Sequence, residues 1–327
     1  MNILVTGAAG FIGFHLADRL ARDGHRVVGV DNLNDYYSTA LKQARWGRLR
    51  HLRVETLDIA DLPAMESLFA RERFTHVVHL AAQAGVRHSV THPHAYSHSN
   101  LTGFLNVLDL CQRYAVEHLL YASSSSVYGR QATLPFRETD PADHPASIYA
   151  ATKRANEMMA YSYADLHRLP ATGMRFFTVY GPWGRPDMAP CLFAGSLLRG
   201  EPIEIFNHGR MARDFTYIDD VVESIVRLLP RAPSREGLAP HEIYNIGRGS
   251  PVALLDFVET LERTLGIAAI KRFKPMQPGD VERTWADTQK LQATVGYTPT
   301  VSLETGIRSF VDWLLDYRGL LLEEVAA

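Results

Sequence analysis

Cysteine is scarce in this sequence. Only two of its 327 residues are cysteines, Cys111 and Cys191, and they show neither a CxxC spacing nor the paired histidines of a zinc site. So few cysteines also fit a reducing compartment. Several histidines cluster along the chain, but their spacing matches no metal site, and we interpret them as surface or packing residues: His88, His92, His94 and His98. We therefore predict that the chain binds no metal.

The sequence also lacks a strong charge of either sign and any long apolar run. Its formal net charge is −2, so no overall basic field attracts nucleic acid, and an anionic substrate would need local arginines. No stretch approaches the roughly 18 consecutive apolar residues of a membrane helix. The first residues have the pattern of a strand and not that of a secretory leader. We expect a cytoplasmic protein without nucleic-acid or membrane partners.

The first half of the chain alternates between strand and helix patterns. Short apolar runs predict strands at residues 2–6, 26–30, 52–57, 77–81 and 119–122. Helical periodicity predicts helices at residues 11–23, 63–73, 94–114 and 149–169. This alternation is typical of an α/β protein with a Rossmann-type, doubly wound parallel sheet that helices cover on both faces.

Beyond residue 178 the pattern loosens. Prolines and glycines separate short elements, residues 232–240 form an irregular connector, and two amphipathic helices are predicted at 253–265 and 303–317. We predict two domains, a Rossmann domain and a smaller, irregular α+β domain that supplies a substrate pocket. The Rossmann domain takes residues 1–177 with 215–240, and the smaller domain takes 178–214 and 241–327.

A glycine-rich loop joins the first predicted strand to the first predicted helix. It reads Thr6-Gly-Ala-Ala-Gly10-Phe-Ile-Gly13. Gly7 permits a tight turn, Gly10 lets the backbone approach a pyrophosphate, and Gly13 allows close packing of the helix on the strand. The helix N-terminus then faces the phosphates. Because strand, loop and helix follow in the required order, we predict a dinucleotide site.

Asp31 ends the second predicted strand, eighteen residues beyond Gly13. A carboxylate at this position accepts hydrogen bonds from the ribose hydroxyls of the adenosine and repels a 2′-phosphate, so it selects NAD over NADP. The carboxyl ends of the parallel strands are where the cofactor should lie. Besides the three glycines, the predicted NAD-binding residues are Phe11, Ile12, Asp31, Asn32, Asp58, Ile59, Leu80, Ala81, Ala82, Tyr149, Lys153 and Phe177.

Tyr149 and Lys153 lie one helical turn apart, so their side chains share a helix face. An ammonium beside a phenol favours the phenolate, and we expect Lys153 to lower the pKa of Tyr149 from about 10. A phenol tuned in this way can remove a proton from a hydroxyl group. A Tyr-x-x-x-Lys spacing is weak on its own, but the glycine loop and a run of serines at residues 123–126 strengthen it.

The glycine loop, the stretch Tyr121-Ala-Ser-Ser-Ser-Ser-Val-Tyr-Gly129 and the Tyr149/Lys153 pair resemble the extended short-chain dehydrogenase/reductases that act as NAD-dependent nucleotide-sugar epimerases and dehydratases. Five further stretches resemble UDP-glucuronate 4-epimerases most closely, and they lie at residues 30–37, 79–87, 175–188, 213–220 and 278–280. The resemblance covers most of the chain, from about residue 2 to residue 315.

This resemblance implies a reaction that interconverts UDP-glucuronate and UDP-galacturonate on permanently bound NAD. Tyr149 removes the proton of the sugar 4-hydroxyl while hydride passes from C4 to the nicotinamide, and Lys153 binds the nicotinamide ribose. The planar 4-keto sugar then rotates, and hydride returns to its opposite face. The resemblance also assigns Ser124 and Ser126 as catalytic hydroxyls.

The serine run separates the possible reactions. Related dehydratases and decarboxylases carry an acid just before Val127, where this chain has Ser125 and Ser126. A serine cannot efficiently deprotonate C5 or protonate a leaving hydroxyl at neutral pH, so the sequence favours epimerisation.

The resemblance further implies how the UDP-sugar binds. Arg185 can hold the uronate carboxylate with two parallel hydrogen bonds, and Thr178 can add a third. Arg213 corresponds to a diphosphate-binding arginine of the family. The remaining predicted substrate contacts are Arg87, Ser125, Ser126, Asp280 and Arg283.

Three alternatives stay open at this point. The first is a 4-epimerase of UDP-glucose or UDP-N-acetylglucosamine, against which Arg185 and Thr178 argue. The second is a UDP-glucuronate decarboxylase or sugar dehydratase. The third is a non-catalytic NAD-binding protein, against which the retained Tyr149, Lys153 and serines argue. The helices near residues 94–114 and 149–169 resemble those that pair in family dimers, and we expect a homodimer by this analogy.

Overall fold

The computed structural model describes residues 1–130, 133–277 and 280–317. At its centre lies a seven-stranded parallel sheet. The strands of the described residues are β1 Asn2–Thr6, β2 Arg26–Asp31, β3 Arg53–Thr56, β4 His76–His79, β5 His118–Ser124, β6 Ala171–Phe176, β7 Thr178–Tyr180, β8 Ile203–Ile205, β9 Ala212–Arg213, β10 Phe215–Tyr217, β11 His241–Ile246, β12 Val252–Ala253 and β13 Lys271–Phe273.

Helices cover the sheet and build the rest of the molecule. They are α1 Phe11–Arg22, α2 Thr39–Trp46, α3 Leu62–Glu72, α4 His88–Thr91, α5 Pro93–Tyr96, α6 Phe104–Arg113, α7 Ile148–His167, α8 Ala189–Arg199, α9 Ile218–Leu228, α10 Leu254–Leu265, α11 Gln289–Val295 and α12 Leu303–Asp316. A π-helical stretch, Ser97–Gly103, joins α5 to α6, and 3₁₀ turns occupy Ser125–Tyr128 and Phe206–Gly209. Within the described ranges, none of the helices combines the length and the apolar character needed to span a bilayer.

The strand order of the main sheet is β11-β6-β5-β4-β1-β2-β3. β1 pairs in parallel with β2 on one side and with β4 on the other, so the order of the strands reverses at this point. In open α/β sheets a ligand binds beyond the carboxyl ends of the strands at such a reversal. The doubly wound parallel sheet predicted from the sequence is thereby confirmed.

Two strands of the sheet were not predicted. β6 follows Pro170 directly and is buried at every position, and β11 follows the irregular connector. β11 pairs in parallel with β6, so the prediction that the smaller domain takes every residue from 241 onward is wrong for His241–Ile246. The segment pairs with a strand some seventy residues away, and such non-local pairing leaves little trace in local sequence.

The helix predicted at residues 94–114 is interrupted in the structure. The chain makes the short α5, then the π-helical stretch Ser97–Gly103, and only then the regular α6. Asn100 lies in the π-helical stretch, and its side chain exchanges hydrogen bonds with the backbone of Gln83, at 2.8 and 3.1 Å. This exchange ties the helical segment to the chain that follows β4.

A buried ion pair joins α7 to the sheet. Arg175 of β6 donates to both carboxylate oxygens of Glu157, at 2.8 and 2.9 Å, and both side chains are at most 2% exposed. Ser123 of β5 donates to the same carboxylate at 2.6 Å, and Arg154 donates at 2.9 Å. Burial would raise the pKa of the Glu157 carboxyl, but the hydrogen bonds and charge of Arg175 hold this pKa below its ordinary value.

We predict that Glu157→Gln lowers the free energy of unfolding by about 3 kcal/mol, because it leaves a buried guanidinium without its counter-charge. Since the pKa of Glu157 is depressed in the folded state, its contribution is present above about pH 4.3 and is lost as the pH falls through the folded-state value. Urea unfolding of parent and variant at neutral and acidic pH measures both effects.

The matched control is Glu66→Gln, which breaks an exposed ion pair with Arg113. We expect this change to alter the unfolding free energy by less than about 1 kcal/mol. Equal effects of the two substitutions would contradict the structural role assigned to the buried pair.

Candidate active site

A cleft of about 340 Å³ lies beyond the carboxyl ends of β1, β4 and β5. This volume is within the range of small-molecule sites. The cleft brings together most of the residues that the sequence predicted to be functional. The predicted residues that line it are Gly7, Gly10, Phe11, Ile12, Gly13, Asp31, Asn32, Ile59, Leu80, Ala81, Ala82, Ser124, Ser125, Ser126, Tyr149, Lys153, Phe177, Thr178 and Arg185.

The glycine loop forms one wall of the cleft. Gly7 has φ +73°, and its N–H donates to the Val30 carbonyl at 2.7 Å. A Cβ on Gly13 would lie 2.0 Å from the Gly7 carbonyl oxygen, so only glycine allows α1 to approach this closely. The backbone N–H groups of the first turn of α1 therefore remain next to the cleft, where a pyrophosphate fits.

Asp31 lies at the end of β2 on the same wall. Its carboxylate accepts from the backbone N–H groups of Ala9 and Leu33, at 3.0 and 2.9 Å. Burial raises the pKa of this carboxyl, while the two N–H groups and the charges of Lys42 and Arg45 oppose the rise. Each carboxylate oxygen can accept more than one hydrogen bond, so Asp31 retains acceptor capacity for the hydroxyls of a ribose.

The predicted cofactor residue Asp58 lies just outside the lining. Its side chain accepts from the Ala60 N–H at 2.8 Å and from the Asn32 side chain at 3.0 Å. It therefore orients Asn32, which does line the cleft. Together the glycines, Asp31 and Asn32 suit the pyrophosphate and the adenosine ribose of NAD.

Tyr149 and Lys153 project from the first turns of α7. Ser147 caps the N-terminus of the helix, and its hydroxyl accepts from the Ala150 N–H at 3.1 Å. Lys153 is 2% exposed, and its ammonium donates to the Ala122 carbonyl at 3.0 Å. Burial lowers the pKa of Lys153 to about 8. The ammonium is thus held in place beside the phenol-bearing turn.

The expected direction of the Tyr149 pKa is wrong for the protein on its own. Burial raises this pKa, and the charge of Arg185 and the hydroxyl of Ser124 only partly oppose the rise. The expectation weighed the neighbouring cation and omitted the desolvation of a phenolate. Additional positive charge in the cleft, such as that of oxidised nicotinamide, would favour the phenolate form of Tyr149.

The serine run turns the chain at the end of β5. Ser124 donates to the Ser126 hydroxyl at 3.1 Å, and the Ser126 N–H donates back to Ser124 at 3.2 Å. Ser124, Ser125 and Ser126 line the cleft, while Ser123 is directed to the buried Glu157. The cleft therefore offers uncharged hydroxyls next to Tyr149.

Arg185 reaches the cleft, but its guanidinium already has a carboxylate partner. Its Nε and Nη2 donate to the two oxygens of Asp187, at 3.0 and 2.5 Å, and Tyr36 donates to the same carboxylate at 2.9 Å. This pairing uses the Nε/Nη2 edge of the guanidinium, so the predicted two-bond contact with a substrate carboxylate would have to use the Nη1/Nη2 edge. The charge of Arg185 and its Nη1 edge remain for an anion in the cleft.

The other predicted substrate residues form a second group outside the cleft lining. Arg213 donates to Asp280 at 2.8 Å and to the Ala212 and Glu282 carbonyls at 3.0 Å. Burial and the nearby charge of Arg87 lower the pKa of Arg213, while Asp280 opposes this decrease. The close placement of two arginines forms a local basic site in a chain with no net basic charge.

Arg87 and Arg283 also belong to this second group. The guanidinium of Arg87 lies 5.4 Å from the ring centre of Phe206, which sequence reasoning missed. Arg283 forms an isolated bridge with Ala212, next to Arg213. Pro278 and Gly279 of the stretch 278–280 lie outside the residues that the structure describes.

Two other residues were missed although the sequence stretches that contain them were singled out. Tyr36 and Asp187 lie in the stretches 30–37 and 175–188, but they received no role. Only the fold brings them together on Arg185, across 151 residues of chain. No local spacing rule could have paired them.

Residues 3–247 match the sequence model of the NAD dependent epimerase/dehydratase family. The chain belongs to this family. The predictions of an NAD-dependent enzyme and of this family are thereby confirmed, and the glycine loop and Asp31 are suited to the cofactor that the family description names.

Similar proteins act on more than one sugar. A probable UDP-glucuronate 4-epimerase from Rhizobium meliloti (strain 1021) is 47% identical over 329 residues and covers 96% of either chain. The structure of UDP-glucuronic acid 4-epimerase from Bacillus cereus, in complex with UDP-glucuronic acid and NAD, is 34% identical with a TM-score of 0.88 and covers 97% of this chain and 99% of that chain.

A UDP-glucose 4-epimerase from Thermotoga maritima, with UDP-glucose, is 33% identical with a TM-score of 0.87 and covers 97% of this chain and 99% of that chain. Epimerases named for an acidic and for a neutral sugar thus share this family fold to nearly the same degree. The side chains in the cleft, and not the fold, must determine which UDP-sugar is the substrate.

We predict that Gly13→Ala raises the dissociation constant for NAD about tenfold or more, because the new methyl group forces the helix away from the loop, and a loss of 1.4 kcal/mol already corresponds to a factor of ten. Titration of the cofactor-free protein with NAD measures the change. Gly195→Ala in α8 is the control, since its Cβ would meet only the flexible side chain of Arg199. Unchanged NAD affinity in the Gly13→Ala protein would contradict the role assigned to the loop.

Proposed function

We propose that the protein interconverts UDP-glucuronate and UDP-galacturonate by oxidising C4 of the sugar and reducing it again from the opposite face. The observation that carries this proposal is the composition of the cleft. It combines a dinucleotide loop and the Tyr149/Lys153 pair with serine hydroxyls and a cationic Arg185. The similarity to named UDP-glucuronate 4-epimerases supports the same reaction.

Tyr149 acts as the base and acid for the sugar 4-hydroxyl. Lys153, held by the Ala122 carbonyl, keeps a positive charge near the phenol and binds the nicotinamide ribose. Ser124 and Ser126 form a hydrogen-bonded pair that orients the hydroxyl to be deprotonated. Bound NAD supplies the acceptor, and later the donor, of the hydride that leaves C4.

The residues beside Tyr149 favour epimerisation over elimination. A dehydratase or decarboxylase requires an acid or base that acts on C5 or on a leaving group. The 3₁₀ turn Ser125–Tyr128 presents hydroxyls at the corresponding place. Serine hydroxyls bind and orient a sugar without transferring its protons at neutral pH.

A uronate substrate places a special demand on this site. The 4-keto sugar with a C5 carboxylate is a β-keto acid, which loses CO2 when the breaking bond lies perpendicular to the carbonyl plane. The enzyme must therefore hold the carboxylate in another orientation. We propose that Thr178 and the serine hydroxyls bind the carboxylate, while Arg185 contributes its charge and its free Nη1 edge.

The second group of residues is suited to the UDP part of the substrate. Arg87 and Arg213 provide positive charge for the diphosphate, with Arg283 nearby. Phe206 offers an aromatic face, on which a pyrimidine can stack. Asp280 holds Arg213 in place and can also accept from a ribose hydroxyl.

We also propose that the protein acts as a homodimer in the cytoplasm. Helices α6 and α7 expose large apolar side chains, among them Leu105, Met158, Tyr161 and Leu166. A second copy of these helices would cover such a face. The two buried, unpaired cysteines are consistent with a reducing compartment. The division into an NAD-binding and a UDP-sugar-binding domain likewise remains a proposal.

The test is an NMR assay of the purified holoenzyme with UDP-glucuronate. We expect the anomeric signal of UDP-galacturonate to grow to equilibrium without release of CO2. Tyr149→Phe should slow this conversion by about 10²- to 10⁴-fold, the usual contribution of a general base, while NAD stays bound.

The same assay separates the alternative functions. Conversion of UDP-glucose at a rate equal to that of UDP-glucuronate would favour a neutral-sugar epimerase. Accumulation of a pentose or of a lasting keto sugar would favour a decarboxylase or dehydratase. Unchanged turnover of the Tyr149→Phe protein would refute the mechanism.

A further inference from the structure

Arg45 in α2 is completely buried, and its hydrogen bonds in the described part of the chain go to uncharged oxygens. Nη1 donates to the Ala9 carbonyl at 2.9 Å and to the Tyr37 hydroxyl at 2.8 Å. Nη2 donates to the carbonyls of Trp183 at 2.7 Å and of Gly184 at 3.1 Å. A buried arginine usually donates directly to a carboxylate, whereas Arg45 acts on the Asp31 carboxylate only through its charge and donates its hydrogen bonds to uncharged oxygens.

The acceptors of Arg45 belong to two different parts of the site. Ala9 lies within the glycine loop. Trp183 and Gly184 immediately precede Arg185 in the chain. One planar guanidinium with a rigid set of donors therefore connects the cofactor loop to the segment that carries the cation of the sugar site.

The segment that Arg45 holds is strained. Trp183 has φ +60°, a conformation that bulky side chains rarely adopt and that costs about 1–3 kcal/mol. Its ring packs against Phe14 and Trp313, with ring centres 5.7 and 5.5 Å apart. A strained turn persists only where its surroundings hold it, and Arg45 supplies two of the hydrogen bonds that do so.

A second side chain supports the same segment. His15 of α1 is hydrogen-bonded through Nε2 to the Pro182 carbonyl, at 2.9 Å. Burial lowers the pKa of His15 to about 4, so the ring is neutral at pH 7 and donates its Nε2–H to this carbonyl. His15 of α1 and Arg45 of α2 thus donate hydrogen bonds to three consecutive carbonyls, those of Pro182, Trp183 and Gly184.

We propose that Arg45 is a positioning residue for sugar specificity, because it fixes the strained turn that places Arg185 beside the carboxylate of the uronate. The inference rests on the proposed function and adds that Arg45 positions the guanidinium of Arg185. Asp187 fixes the guanidinium of Arg185, whereas Arg45 fixes the carbonyls of the two residues that precede it. Through Ala9, the same arginine ties this placement to the loop suited to the cofactor.

Two physical effects of Arg45 can be separated by substitution. Arg45→Met removes both the charge and the fork of donors. Arg45→Lys keeps the charge but cannot reach the four acceptors at once. If Arg45 acts by geometry, the lysine variant loses specificity nearly as fully as the methionine variant. If it acts by its charge, the lysine variant behaves like the parent.

The experiment measures specificity as a ratio of binding constants. Calorimetry gives the dissociation constants of UDP-glucose and UDP-glucuronate for the NAD-loaded protein, with Tyr149→Phe present in every sample to stop turnover. We expect Arg45→Met and Arg45→Lys to weaken binding of UDP-glucuronate about ten- to a hundredfold while UDP-glucose is little affected, since small displacements of a positioned group have effects of this size. Arg185→Ala removes the cation itself and therefore gives the largest change expected in the ratio of the two dissociation constants.

The control is Arg48→Met. Arg48 is exposed and stacks on the Trp183 ring, with 4.8 Å from the guanidinium carbon to the ring centre. It therefore touches the same turn through its side chain, and we expect the ratio to stay at the parent value. His15→Leu removes the donor to Pro182, together with ring contacts to Phe11 and Phe14, and should shift the ratio in the same direction as the Arg45 variants, but less. This variant decides the question if the Arg45 variants do not fold.

The outcomes are distinguishable. Failure of the holoenzyme to convert UDP-glucuronate in the NMR assay would refute the proposed function, and a parent that binds UDP-glucose as well as UDP-glucuronate would refute this inference alone. A parent that prefers the uronate, with Arg45 and His15 variants that lose stability or NAD but keep the parent ratio, would refute only the positioning role. A selective loss of uronate binding in the variants, with Arg48→Met unchanged, supports it.

Discussion

The placement of α7 on the sheet is the constraint on which the rest of the site depends. Tyr149, Lys153 and Glu157 follow one another at intervals of one helical turn, so they lie along one face of the helix. Glu157 is locked between Ser123 of β5 and Arg175 of β6. The carboxylate that anchors the helix therefore also sets where the phenol and the ammonium stand above the strand ends.

The burial that accompanies this placement also changes the protonation of Tyr149 and Lys153. Burial raises the pKa of Tyr149 and lowers that of Lys153 to about 8, so at neutral pH the phenol is protonated while the ammonium keeps its charge. In the proposed mechanism, the positive charge of oxidised NAD would favour the phenolate form of Tyr149 and so strengthen it as a base.

Sequence reasoning succeeded where function depends on local geometry. The glycine loop and the Tyr149/Lys153 spacing each follow from contacts within a few residues, and the structure places them in one cleft. Sequence reasoning failed where the partner of a residue is distant in the chain or is a backbone group. β11 pairs with a strand from another part of the chain, Asp187 pairs with the Nε/Nη2 edge of Arg185, and Arg45 donates to carbonyls that no sequence motif predicts.

The central claim is that C4 of the sugar is oxidised and then reduced by the same hydride within one cleft. The most direct measurement uses UDP-glucuronate that carries deuterium at C4, with NMR and mass spectrometry of the products. The account predicts that UDP-galacturonate retains the deuterium at C4 and that no solvent hydrogen enters this position. Replacement of the label by hydrogen from water would show that inversion proceeds by proton exchange at carbon, and it would contradict the account.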